Sequence, residues 1–101
     1  MFNPAHPGEL IRETIDALSE ERGETLTILE VAEGLNTTRK TLSAIINGKQ
    51  SVTPEMAIKL STAFKNTTAE FWLRVQDNYD LAHARRKVET KGIRVFWKPA
   101  A

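Results

Sequence analysis

The sequence contains no cysteine, which excludes a disulfide framework and any thiolate metal site and fits a cytoplasmic setting. No apolar run approaches the roughly 18 residues that would mark a bilayer span, so no membrane partner is expected. No charged-then-apolar segment of the kind that directs secretion opens the chain. Histidine occurs only twice, at His6 and His83, and no nucleophile–base pair is visible, so catalysis has little to work with. Internal repeats and low-complexity segments are absent as well. What remains is one domain's worth of ordinary sequence, 101 residues, able to bury a modest core.

The charge is small in sum and uneven in distribution. The net charge is +1, yet residues 1–35 carry eight acids and two bases, whereas residues 36–101 carry twelve bases and five acids. A chain polarised this way suits a protein that turns one side toward phosphate and another elsewhere.

The informative stretch runs from Val31 to Lys49. Ile28, Val31, Ala32 and Leu35 recur at i, i+3, i+4, i+7, one stripe of a helix, and the stripe resumes at Leu42, Ile45 and Ile46. Ala32 falls where two such helices cross most closely and only a small side chain fits. Asn36 occupies the turn, a position where asparagine tolerates left-handed backbone. Thr37 or Thr38 can cap the second helix, and Gly48 can end it. At about 100° per residue, turning Leu42, Ile45 and Ile46 inward turns Lys40, Ser43, Ala44 and Asn47 outward, with Arg39 at the edge. Arginine and lysine can donate to guanine, serine can bond several bases and alanine can touch a thymine methyl, so Arg39, Lys40, Ser43 and Ala44 are the expected base readers. Thr27, Thr38, Thr41, Asn47 and Lys49 are expected on phosphates, which fix register without reading sequence. The pattern is that of a helix-turn-helix with its second helix meant for the major groove of double-stranded operator DNA.

Around it the signals predict three more helices. Residues 1–7 read as an extended arm, followed by a helix over about 8–21 with Leu10, Ile11, Thr14, Ile15 and Leu18 on one face. Thr53-Pro54 opens a helix to about Lys65 that buries Ala57, Leu60 and Phe64. Thr68 caps a fifth, from Ala69 to roughly Lys87, with Phe71, Trp72, Val75, Tyr79 and Ala82 within one core-facing arc. Leu73 and Leu81 fall outside that arc and are candidates for a dimer or partner contact. Residues 92–99 alternate with a period of two, Ile93, Val95 and Trp97 against Arg94, Phe96 and Lys98, which suggests a short β-strand. Such a strand could pair with its mate in a homodimer, add to a partner's sheet, order only on binding, or pack on its own domain; Val95 and Trp97 are its candidate contacts. The expected architecture is all-α: a five-helix helix-turn-helix domain over 1–87, then a tail over 88–101 that is either strand or irregular.

Three further stretches narrow the comparison: His6-Pro7-Gly8-Glu9-Leu10, Val52-Thr53-Pro54-Glu55-Met56-Ala57, and Glu70-Phe71-Trp72-Leu73-Arg74-Val75-Gln76. With the helix-turn-helix, which resembles the Xre/Cro-type, phage-repressor-like domain, they resemble the HigA-type antitoxins (the VapI group) of bacterial toxin–antitoxin modules over residues 6–87. The resemblance implies a homodimer that binds a palindromic operator, represses its own operon and neutralises a RelE-like mRNA endonuclease toxin. No cofactor is expected. Matching the recognition helix residue by residue puts base contacts at Arg39, Lys40, Ser43 and Ala44. Asn36 stands where the family often has glycine and Thr37 where it often has an aliphatic residue.

Three other readings compete. A metal enzyme would draw on Asp77, Asp80 and His83, but those spread over about 240° of helical arc, too wide for one site. A protein-interaction module would use the apolar excess of the fifth helix and the tail. A stand-alone repressor would keep the same DNA-binding face without a toxin.

Overall fold

Each of the five helices among the described residues starts on a side chain that accepts one of the amides a first turn leaves open. The computed structural model describes residues 4–97; the first three residues of the expected arm, and residues 98–101 of the tail, lie outside them. Helix α1 spans Pro7–Arg22, α2 Ile28–Gly34, α3 Arg39–Ile46, α4 Pro54–Ala63 and α5 Ala69–Lys87. Thr27, Thr38, Thr53 and Thr68 cap α2 to α5, their hydroxyls accepting from the N–H groups of Glu30, Thr41, Met56 and Phe71 at 3.0–3.2 Å. At α2 the Glu30 carboxylate also accepts from the Thr27 N–H at 3.3 Å, completing a capping box. The cap of α1 is His6, whose Nδ1 accepts from the Gly8 N–H at 2.9 Å. Pro7 and Pro54 fill first-turn positions where the missing amide costs nothing.

Two helix ends differ from expectation. Helix α1 includes Pro7 and runs one residue further, to Arg22. Helix α4 stops at Ala63 rather than near Lys65, because Phe64 leaves helical geometry (φ −105°, ψ 97°) to sink its ring into the core. Asn66, at φ 74°, then turns the chain into α5.

The expected strand is not formed among the described residues. Residues 88–97 run irregularly, with a turn in which the Ile93 N–H donates to the Thr90 carbonyl at 3.0 Å. Ile93, Val95, Phe96 and Trp97 stand exposed. The physical reason is the one the alternation itself implied: a single extended segment in an all-α chain has no ladder to join.

The core gathers Ile11 and Ile15 of α1, Val31 and Ala32 of α2, Leu42, Ile45 and Ile46 of α3, Met56, Ala57 and Leu60 of α4, and Trp72 of α5, with Leu35, Val52 and Phe64 from the connections. Helix α5 meets it differently from the expected arc. Trp72 is buried and donates from its indole N–H to the Thr67 hydroxyl at 3.0 Å, while Leu73 packs partly on the core. Phe71 is exposed, edge-on to the Trp72 ring. The inward position one turn on belongs to Gln76, which is buried: its Oε1 accepts from the Val52 N–H at 2.7 Å and its Nε2 donates to Asp80 at 2.9 Å. That amide ties the α3–α4 connection to α5 and satisfies a backbone group sealed from water.

The tightest constraint lies at Gly8. A Cβ there would sit 2.4 Å from the carbonyl oxygens of both Ile45 and Ile46, so the first turn of α1 lies directly against the last turn of α3. Backbone cannot yield as a flexible side chain can. Gly8→Ala should therefore destabilise the fold by about 1–3 kcal/mol, read as a lowered midpoint in urea; an unchanged midpoint would mean that the two turns do not touch in solution.

Candidate nucleic-acid interface

The turn between α2 and α3 is held from both sides. Within it, the Asn36 and Thr37 amides donate to the Glu33 and Ala32 carbonyls at 3.0 and 2.9 Å. From outside, Lys59 of α4 donates its Nζ to the Asn36 carbonyl at 3.1 Å, with the Glu55 carboxylate 3.7 Å away. Asn36 adopts φ 57°, the left-handed conformation its place in the sequence called for. Leu35 and Ala32 are buried beneath it, so the angle between the helices is fixed by packing as well as by hydrogen bonds.

The far end of α3 closes as regularly. The Gly48 and Lys49 amides donate to the Ile45 and Ala44 carbonyls at 3.1 and 2.8 Å, a Schellman closure with Gly48 at φ 77°. His6 covers this end, since a Cβ on Gly48 would lie 3.1 Å from the imidazole Nε2. The same ring meets Tyr79 of α5 edge-on at 4.8 Å, and Tyr79 in turn lies 4.3 Å from the His83 ring. His6 therefore joins the start of α1, the end of α3 and the middle of α5. Its imidazole was not among the sequence-derived candidates, because histidine is an uncommon cap and nothing local marks it as one.

Between these two closures α3 divides cleanly. Leu42, Ile45 and Ile46 are buried, while Arg39, Lys40 and Asn47 are exposed and Ser43 and Ala44 are partly exposed beside them. Arg39, Lys40, Ser43 and Ala44 thus share one accessible face, and among the described residues the only side-chain bond on it is from Asn47 Nδ2 to Ser43 Oγ at 3.3 Å. Thr38, Asn47 and Lys49 border the same face. Thr38 and Thr41 bond each other at 2.9 Å, and Thr41 leans away to line a polar hollow of about 190 Å³ with Gln50, Ser51, Thr53 and Lys59. Thr27 sits apart, at the start of α2, with its hydroxyl engaged by Glu30. From residue 36 to 60 the chain carries Arg39, Lys40, Lys49 and Lys59 against the single acid Glu55, an excess of positive charge of the kind that attracts phosphate.

The residues of the metal-enzyme reading are not gathered. Asp80 is bonded to Gln76, His83 lies against Tyr79 and Asp77 is exposed. No described helix is long and apolar enough to cross a membrane.

Comparison with known proteins agrees with this geometry. A family described as helix-turn-helix matches residues 21–71. Virulence-associated protein A′ of Dichelobacter nodosus is 44% identical over the full chain and 82% of its own length. Among solved structures, an addiction module antidote protein of a HigA family from Coxiella burnetii is similar with a TM-score of 0.70 at 34% identity, covering 85% of this chain and 87% of that one. The Pseudomonas aeruginosa antitoxin HigA, solved with the higBA promoter, gives 0.67 at 28% identity over 88% of this chain and 99% of that one.

The turn geometry is open to direct test. Replacing Asn36 by Val puts a β-branched residue at positive φ and should cost about 1–2 kcal/mol, while Asn36→Gly should be close to neutral. Equal urea midpoints for the two variants would rule out the left-handed turn.

Proposed function

The chain belongs to the helix-turn-helix family, and from that premise we propose that it is an operator-binding antitoxin that represses its own operon and neutralises a RelE-like toxin. The observation that carries the DNA-binding part is the division of α3, in which a fully packed inner face holds an unencumbered outer face of Arg39, Lys40, Ser43 and Ala44. In this reading those four side chains read base edges. Thr27, Thr38, Thr41, Asn47 and Lys49 hold phosphates, which fixes register without reading sequence. Two copies related by a two-fold axis set their recognition helices about 34 Å apart, one turn of B-DNA.

The toxin-neutralising part is supported by the company this fold keeps, antitoxins and antidote proteins at TM-scores near 0.7. Residues 1–87 serve as the DNA-binding unit and 88–101 as a separate contact segment. Val95 and Trp97 of that segment and Leu81 of α5, all exposed, with Leu73 of α5, half-buried, contact a partner copy or toxin.

Two measurements test the reading. Because both side chains are exposed, Arg39→Ala with Lys40→Ala should leave stability within about 0.5 kcal/mol of the parent. The same variant should weaken binding to the promoter DNA of its own operon by about tenfold or more, since each lost base contact is worth about 1–3 kcal/mol. The parent's affinity should fall steeply with added salt as counterions are displaced. Unchanged binding by the double variant would assign recognition elsewhere. Co-expression with the product of the adjacent gene should rescue growth and yield a complex that co-purifies; a harmless neighbour with no complex would leave a stand-alone repressor.

A further inference from the structure

Helix α1 and the start of α5 enclose an apolar hollow of about 350 Å³, lined by Leu10, Thr14, Ala17, Leu18, Phe71 and Trp72. One edge of it is acidic. Glu9, Glu13, Asp16 and Glu20 follow one another at i, i+4, i+7, i+11 along α1, all exposed, and Glu13 lines the hollow itself. Like charges four residues apart repel, so the stripe favours a basic neighbour.

The same chain carries a segment of the complementary kind. Its tail holds Ile93, Val95, Phe96 and Trp97, 60–82% exposed, interleaved with Arg94 and flanked by Lys91. Arg94 lies 4.8 Å over the Phe96 ring, its guanidinium beside the aromatic surface. Apolar side chains so concentrated and so exposed mark a contact surface.

The tail is not seated in the hollow of its own copy: its apolar side chains stand exposed and none of them lines the hollow. From Phe71 to Lys87 the helix rises about 24 Å, and with the turn at Thr90–Ile93 the segment from Val88 to Trp97 spans about 20 Å, short of that distance. A two-fold axis beside α5 would bring the C-terminal end of one copy's helix to the N-terminal end of the other's.

We propose that the tail of each protomer docks into the α1–α5 hollow of a second copy, Trp97 and Val95 filling the apolar floor and Lys91 and Arg94 meeting the acidic edge of α1. The exchange is reciprocal, so two tails and two hollows are used per dimer. It rests on the dimer part of the proposed function, and light scattering on the unmodified protein tests that part alone: a monomer at micromolar concentration overturns both, whereas the experiment below can fail in a protein that is still a dimer.

The absence of native cysteine makes the placement easy to read. Chains carrying Ala17→Cys and chains carrying Val95→Cys, distinguished by a tag, are co-expressed and oxidised. A mixed disulfide between the two, absent when Lys49→Cys replaces Ala17→Cys, is the expected result. A Val95–Val95 disulfide as the main product would show tails pairing with each other and overturn the proposal. So would an intramolecular bond in the doubly substituted chain, or no bond at all. Without cross-linking, Trp97→Ala should raise the dimer dissociation constant by about tenfold or more, as removal of a buried aromatic anchor does, while an unchanged constant would place the aromatic residues outside the interface.

Discussion

The first turn of α1 against the last turn of α3 is the contact on which the rest of the molecule depends. No side chain separates the two backbones at Gly8, where the first turn of one helix lies against the last carbonyls of another. Opposite ends of two helix dipoles meet there, an arrangement that favours contact. His6 completes it with a single ring that caps α1, covers Gly48 and rests on Tyr79. A helix of only eight residues is marginal alone; α3 keeps its shape because both of its ends are fastened to other elements, the near one through Asn36 and Lys59, the far one through Gly8 and His6.

Much of this was legible in the sequence where the controlling interaction is local. The spacing of Val31, Ala32, Leu35, Leu42, Ile45 and Ile46 locates the helix pair and its buried face, and Asn36, Gly48 and the pair Thr37-Thr38, of which Thr38 proves to be the cap, mark its turn and ends by backbone chemistry that depends on near neighbours alone. The same holds for Thr53-Pro54 and Thr68. The exposed face of α3 follows as the remainder, since a helix with one side buried has the other side free.

What was not legible depends on distant parts of the chain. Gln76 looks like a surface residue until the Val52 amide, 24 positions away, is brought to it. Phe71 has the character of a core residue, yet the position facing inward at that turn is already taken by Trp72. Histidine as a helix cap has no local signature, and its role at Gly48 exists only in three dimensions. The alternation in the tail is a genuine pattern of two-sidedness, but a period of two names a strand only when another strand is there to receive it, and the described residues offer none.

The two faces of α3 are almost independent. Its inner face packs chiefly against α1 and α2 within the shared core, whereas the outer face carries, among the described residues, one weak internal hydrogen bond, between Asn47 and Ser43. On the reading proposed above, changes among Arg39, Lys40, Ser43 and Ala44 leave folding nearly untouched while altering what the helix reads. Such a scaffold is evolvable in a particular sense: copies of it could diverge toward different operators by single steps, each passing through a folded intermediate, so that two paralogues in one cell could become insulated from each other's promoters without either losing its architecture.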